Sequence, residues 1–213
     1  MRTIVDTLGV VVEEARLDFG ENGLTVRVVD PSHVAMIKLE VDSAAFETWE
    51  VDETKLGLEM RKMHQFLSVA GAGDMVELAY NDESGQATIH IGRIDLNLRP
   101  LDNSTLNPPN VPALELPCGV TIGGSELAQA LKAAKLVGDL VNLSLTDDTF
   151  TVNVRGSTDS VNLDFSKDDL MAIDCKEAAR SQYSLTYLTP LAKIFQGIEN
   201  VNLRFGENFP LKL

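Results

Sequence analysis

Apolar residues recur along this chain with two different periods. Helical spacing links Ile4, Val5, Leu8, Val11 and Val12, then Met60, Met63, Phe66, Leu67 and Ala70 ahead of a Gly71-Ala72-Gly73 stop. It returns at Leu127, Ala130, Leu131 and Ala134 after Gly124-Ser125, and at Leu191, Ile194 and Phe195. Residues three and four apart share one side of a helix, so each run predicts a helix lying on a core. Thr189-Pro190 offers a capping hydroxyl followed by a first-turn proline, which predicts a helix start at that point. Alternation of period two predicts strands through Leu24, Val26 and Val28; Ala35 to Val41; Ile89 and Ile91; Ile94, Leu96 and Leu98; Phe150 to Val154; and Val161, Leu163 and Phe165. Antiparallel strands with two helices in each half predict an α+β fold, the helices packed on one face of the sheets.

The pattern repeats. Sliding the chain by 126 positions sets Leu17, Val26, Val28, Ile37 and Leu39 on Leu143, Val152, Val154, Leu163 and Phe165, all apolar and without a gap. At neighbouring shifts Leu56, Leu58 and Met60 fall on Tyr183, Leu185 and Tyr187, and Val76 and Leu78 on Val201 and Leu203. Two similar domains follow, residues 1–99 and 118–213. Between them the stretch 100–117 holds five of the eight prolines, and proline has no N–H to give a helix or central strand. It reads as an extended connector, and its apolar end, Val111 to Leu116, predicts that it docks on something.

Composition narrows the class. The 213 residues carry 32 acidic and 18 basic side chains, a net charge of -14, and no apolar run long enough for a membrane helix. The first residues lack the apolar core of a secretory signal. Cys118 and Cys175 stand far apart in sequence and in no metal-ligand spacing, so the expectation is two buried reduced thiols in a cytoplasm, in preference to a disulfide. The acid excess argues either against a polyanionic partner or for a cytoplasm of very high salt, and a content of only nine lysines suits the second.

The helices separate these readings. Taken as 2–11, 59–69, 125–135 and 189–196, they hold basic Arg2, Arg61, Lys62, Lys132, Lys135 and Lys193 against acidic Asp6, Glu59 and Glu126, while the remainder holds twelve basic and 29 acidic groups. Either lysine and arginine simply suit helices, or one helical surface faces a polyanion.

The stretch Leu24 to Met36 with its Asp30-x-x-His33-Val34 segment, the connector ending Val111-Pro112, Tyr187-Leu188 ahead of Lys193, and the closing Phe209-Pro210-Leu211-Lys212-Leu213 resemble the archaeal and eukaryotic DNA sliding clamp, proliferating cell nuclear antigen. The resemblance spans the whole chain in order, and the acidic, lysine-poor composition is similar to that of members from halophilic archaea. It implies a DNA-clamp fold, ring-forming, in which a homotrimer encircles duplex DNA without reading its sequence and serves as a polymerase processivity factor in replication and repair. The DNA-facing residues would be Arg2, Arg61, Lys62, Lys132, Lys135 and Lys193, although Gly9, Gln65 and Ser68 stand where the family usually has basic groups.

Matching positions also imply a pocket for short docking peptides of DNA polymerase, ligase and nuclease, made by Val29, His33, Val34, Met36, Val111, Pro112 and Pro210, and a clamp loader that opens the ring. On the residues alone, Val34 and Met36 read as ordinary core and His33 as a turn histidine. Subunit contacts are expected through Arg93, Ile94, Leu96 and Leu98 on one edge strand and Val161, Leu163 and Phe165 on another. The family has a strand before its first helix and about two more after the Phe209-Pro210 segment, so both ends are expected to be short and the second domain incomplete.

No cofactor and no metal are implied, and no membrane. Asp30 and His33 stand three apart but without a nucleophile motif or phosphate loop, so no enzyme is expected. A docking module that does not encircle DNA, or a subunit of a hetero-oligomeric repair clamp, remains open beside the homotrimer. The expected location is an archaeal cytoplasm, on the nucleoid.

Overall fold

Residues 1–213 are described throughout by a computed structural model, in which the chain divides into two units, Met1–Pro112 and Ala113–Leu213. In the first unit the order is α1 (Arg2–Gly9), β1 (Glu14–Gly20), β2 (Gly23–Val29), β3 (Met36–Asp42), β4 (Thr54–Glu59), α2 (Met60–Leu67), β5 (Val76–Asn81), β6 (Gln86–Ile91) and β7 (Ile94–Leu98). Two antiparallel sheets result, β3-β2-β1-β4 and β5-β6-β7.

The second unit runs β8 (Cys118–Ile122), α3 (Gly124–Lys135), β9 (Leu140–Leu145), β10 (Thr149–Arg155), β11 (Ser160–Ser166), β12 (Ala172–Cys175), β13 (Ala179–Ser184), α4 (Leu185–Phe195) and β14 (Val201–Phe205). Its sheets are β11-β10-β9-β13 and β12-β8-β14. The four-stranded sheets have the same order, and β2 at 23–29 falls on β10 at 149–155 with the offset of 126 seen in the sequence. The internal repeat is thus a repeat of topology. No helix is long and apolar enough to cross a membrane.

Each unit has its own core. Leu8 of α1 and Met60 and Met63 of α2 are buried with Leu17, Leu24, Leu58 and Ile89 of the strands. In the second unit Leu127 and Leu131 of α3 and Leu185 of α4 are buried with Phe150, Leu143, Ile122 and Phe205. Both α2 and α3 follow directly on a strand, and both begin without a side-chain cap, from Glu59 and Gly123. Gly124 permits the start of α3: its N–H donates to the Ile198 carbonyl at 2.9 Å, and its bare Cα lies against the end of α4.

Helix bounds differ from the sequence reading in one place that matters. α4 begins at Leu185, capped by Ser184, whose Oγ accepts from the Thr186 N–H at 3.3 Å, so Pro190 sits inside the helix and Thr189 is not its cap. Pro190 lacks the N–H that would bond one turn back. Burial of Leu185, Leu188 and Ala192 on one face nevertheless carries the helix through that gap. The Thr189 hydroxyl, expected to cap, is buried without a partner.

Gly124→Ala would place a methyl group onto the Phe195 carbonyl oxygen and 2.7 Å from that of Ile198. Urea denaturation should show the second unit destabilised by about 2 to 3 kcal/mol, whereas Gly197→Ala, with nothing near its Cα, should be close to neutral.

Candidate functional site

Helices that bury one stripe must expose the other, and here the exposed stripe is basic. Arg2, Arg61, Lys62, Lys132, Lys135 and Lys193 are all exposed. Within the observed bounds the helices carry these six against Asp6 and Glu126, and the rest of the chain carries twelve basic against thirty acidic groups. The six are not equally available. Arg2 Nη2 donates to the Leu67 carbonyl at 2.8 Å and ties α1 to the end of α2, Lys135 is ion-paired with Asp139 one turn on, and Lys62 lies 5.8 Å over the Phe66 ring. Arg61, Lys132 and Lys193 have no such partner. Asp6, the acid of α1, meets His64 Nδ1 of α2 at 2.7 Å.

A second surface is built around a buried acid. Asp30, only 3% exposed, accepts three backbone N–H groups on its carboxylate, from Ser32 at 2.9 Å, Val34 at 2.6 Å and Ala35 at 2.6 Å. Its own N–H donates to Ala35 O and its carbonyl accepts from His33 N, both at 2.9 Å. His33 takes a left-handed backbone, φ 56°, to complete the loop. The loop turns Val34 outward, 66% exposed, and delivers Met36, 39% exposed, to the head of β3 directly opposite Val29 of β2. Val34 and Met36 are therefore surface residues, where residue type alone suggests core. Val29 and Met36 flank the loop that joins β2 to β3, and His33 and Val34 lie within it.

The connector is fixed to the same sheet at its other side. Leu101 N–H donates to Gly57 O of β4 at 2.8 Å, and Asn103 Nδ2 to Lys55 O at 2.6 Å. A Cβ on Gly57 would come within 2.8 Å of the Leu106 side chain and 3.0 Å of Leu101 O, so only glycine lets the connector lie this close. Hydrogen bonds from Ser104 hold the Asp102 carboxyl below the usual carboxylate range and pin the turn. Val111 and Pro112 stand exposed on the connector. In the second unit Pro210 is exposed beside Phe209, which is 48% exposed; the Phe209 carbonyl accepts the Tyr183 hydroxyl at 2.8 Å.

Two residues went unselected in the sequence. Phe209 is an exposed aromatic beside Pro210, and its type was the available signal. Arg27 lies two pairs along the β2–β3 ladder from Val29↔Met36, opposite Lys38, with a buried Nε lacking any partner. No sequence pattern marks it.

The expected contact strands are both outermost in their sheets, β7 in β5-β6-β7 and β11 in β11-β10-β9-β13. Their side chains are placed unequally. Arg93 and Ile94 are exposed, Leu96, Val161, Leu163 and Phe165 half-buried, and Leu98 is 6% exposed within the first core. Leu98 thus has only its main chain at the sheet edge, because its side chain packs in the first core.

Two outcomes test this geometry. Asp30→Ala should cost about 3 kcal/mol, since three part-buried N–H groups lose their acceptor, with Val34 and Met36 losing their fixed positions in an NMR spectrum. Gly57→Val should release residues 101–106, read as faster amide exchange at Leu101 with the sheet cores still protected.

Comparison with known proteins gives consistent matches. The model of the proliferating cell nuclear antigen N-terminal domain matches residues 1–95. The DNA polymerase sliding clamp of Methanosarcina barkeri is 35% identical over 212 residues, covering 99% of this chain and 86% of that protein. The one from Halobacterium salinarum is 32% identical over 216 residues, covering 100% and 87%. Among solved structures, that of the C-terminal region of FEN-1 bound to A. fulgidus PCNA superposes with a TM-score of 0.92 at 27% identity, over 99% of this chain and 86% of that one. PCNA from Thermococcus kodakaraensis shares the fold with a TM-score of 0.90 at 24% identity.

Proposed function

This chain belongs to the proliferating cell nuclear antigen family of DNA polymerase sliding clamps, and on that premise we propose that three copies close head to tail around duplex DNA. The family is non-enzymatic, a processivity factor, and the work is therefore mechanical: holding a polymerase near its template. The observation that carries the reading is the partition of charge. Six basic groups against two acidic ones occupy the helices of a chain whose other residues carry thirty acids. Phosphate charge attracts the helical side and repels the rest, which orients a duplex toward the helices without reading a base.

Salt sets the limit on that attraction. Electrostatic affinity for DNA falls steeply as salt rises, and three of the six cations already have partners within the protein. Retention by a closed ring does not depend on affinity, so a weakly attracting, acidic protein can still stay on DNA. The outermost strands β7 and β11 support closure, since each leaves one side of its main chain unpaired. Pairing β7 of one copy with β11 of the next covers both edges and repeats until the ring closes.

Partners would dock around the β2–β3 loop of the first unit. Val29, His33, Val34 and Met36, with Val111 and Pro112, suit a short peptide with apolar anchors. The FEN-1 segment bound to A. fulgidus PCNA supports peptide docking as the mode, with a nuclease as one partner class. Polymerase, ligase and a loader are proposed to use the same surface.

Three measurements test these proposals. Light scattering after size exclusion, at low and roughly molar potassium chloride, should give about three times 23.2 kDa at high salt; a monomer at every salt would leave a docking module as the better account. Reversing Lys132 and Lys193 to glutamate should weaken loading on circular DNA and leave peptide binding intact, and equal loss of both would count against a helix-lined channel. Met36→Asp should weaken a docking peptide at least about tenfold while the ring persists.

A further inference from the structure

Cys118 and Cys175 are 57 residues apart in sequence but stand directly opposite each other in the sheet. Cys118 opens β8, Cys175 closes β12, and the two are paired in the antiparallel ladder. Their sulfurs lie 2.6 Å apart, both side chains are buried, and both are free thiols. A disulfide needs Cα atoms within about 7 Å of each other, and residues directly opposite in an antiparallel ladder lie about 4.5 to 5.5 Å apart, so the register itself makes closure possible. Two further features define the place. The Glu177 carbonyl accepts from both thiols, at 3.2 Å from Cys118 and 3.0 Å from Cys175, and keeps the pair turned toward one point. β12 is four residues long, is outermost in its sheet and is bonded to β8 alone, which makes it a strand that can open locally.

We propose that Cys118 and Cys175 form a redox modification site, closing to a disulfide that fastens β12 to β8 when a low-molecular-weight disulfide reaches the pair. The reaction balances as two exchanges. With β12 open, the Cys175 thiolate attacks one sulfur of the small disulfide, forms a mixed disulfide and expels the first small thiolate. The Cys118 thiolate then attacks the Cys175 sulfur and expels the second. The protein loses two protons and two electrons, and the oxidant leaves as two small thiols.

Burial controls when this happens. In the closed sheet desolvation, with the neighbouring thiol second, pushes the Cys118 thiol up to about 12. It is then protonated and unreactive at neutral pH. Asp174, beside Cys175 on β12, and Arg204, 3.8 Å from that carboxylate on β14, are the charged groups that act on the Cys118 thiol; the acid raises it further and the guanidinium opposes it. Arg204 is itself held by the Leu116 carbonyl at 3.0 Å, so it does not move to meet a thiolate. The closed protein therefore resists oxidation, and exposure of β12 is what admits it.

The test uses the full chain in molar potassium chloride at pH 8, incubated with excess oxidised glutathione with and without mild urea, then alkylated in denaturant and weighed intact. The expected product is about 2 Da lighter than the reduced chain, takes up no alkylating agent, forms faster in urea, and unfolds at least about 5 °C higher. Peptide mapping should find Cys118 joined to Cys175. Cys118→Ser should give a mixed disulfide on Cys175 with no rise in unfolding temperature. Cys175→Ala, on the short outer strand, provides the same control if Cys118→Ser does not fold. Two alkylated thiols after incubation in urea, stable mixed disulfides on both cysteines, or an equal temperature shift in either variant would each overturn the proposal.

Discussion

Every helix in this protein has to bury an apolar stripe against a sheet, and that requirement decides what the opposite stripe can carry. α1 and α2 are eight residues long, too short to persist alone in water. They exist because Leu8, Met60 and Met63 are buried among strand residues, each worth about 1.5 to 3 kcal/mol. Once those faces are committed, Arg61, Lys132 and Lys193 have only the solvent side left. The charge partition on which the DNA reading rests is a by-product of packing, repeated in both units because the fold is repeated.

Much of this was legible in the sequence, for reasons that can be named. β2, β3, β10 and β11 were readable because one face of each is more buried than the other, so the chain alternates. β8 was not: Cys118, Gly119, Val120 and Ile122 are all buried in a middle strand, and a strand buried on both faces carries no period. β12 is too short to show one. The start of α4 was misplaced because Thr189-Pro190 has the local chemistry of a helix start, while the burial of Leu185 that begins the helix four residues earlier is a tertiary fact. Val34 and Met36 show the same limit from the other side. Their type suggests interior, and only the bonds to Asp30 explain why they face outward.

Main-chain proximity, invisible to residue type, also sets the surface. Gly57 matters for the atoms it lacks, since the connector lies where its side chain would be. The two cysteines are a further instance: nothing in their spacing places them together, and the register of β8 with β12 does. Side-chain chemistry proposed partners for this protein, and backbone register decided which groups meet.

The acidic surface has a consequence for the folded state itself. The carboxylates of Asp6, Asp18, Glu40, Asp95, Asp139 and Asp174 lie within ion-pairing distance of a basic group, a small part of the 32 acidic side chains. Most of the acidic side chains are exposed and repel one another across a protein of net charge -14. At 0.1 M salt that repulsion reaches about 10 Å, and at 1 M only about 3 Å. Dissolved potassium therefore acts as an unbound component of this fold: withdrawing it lets the carboxylates push the compact state apart, and ion activity enters the folding equilibrium alongside temperature.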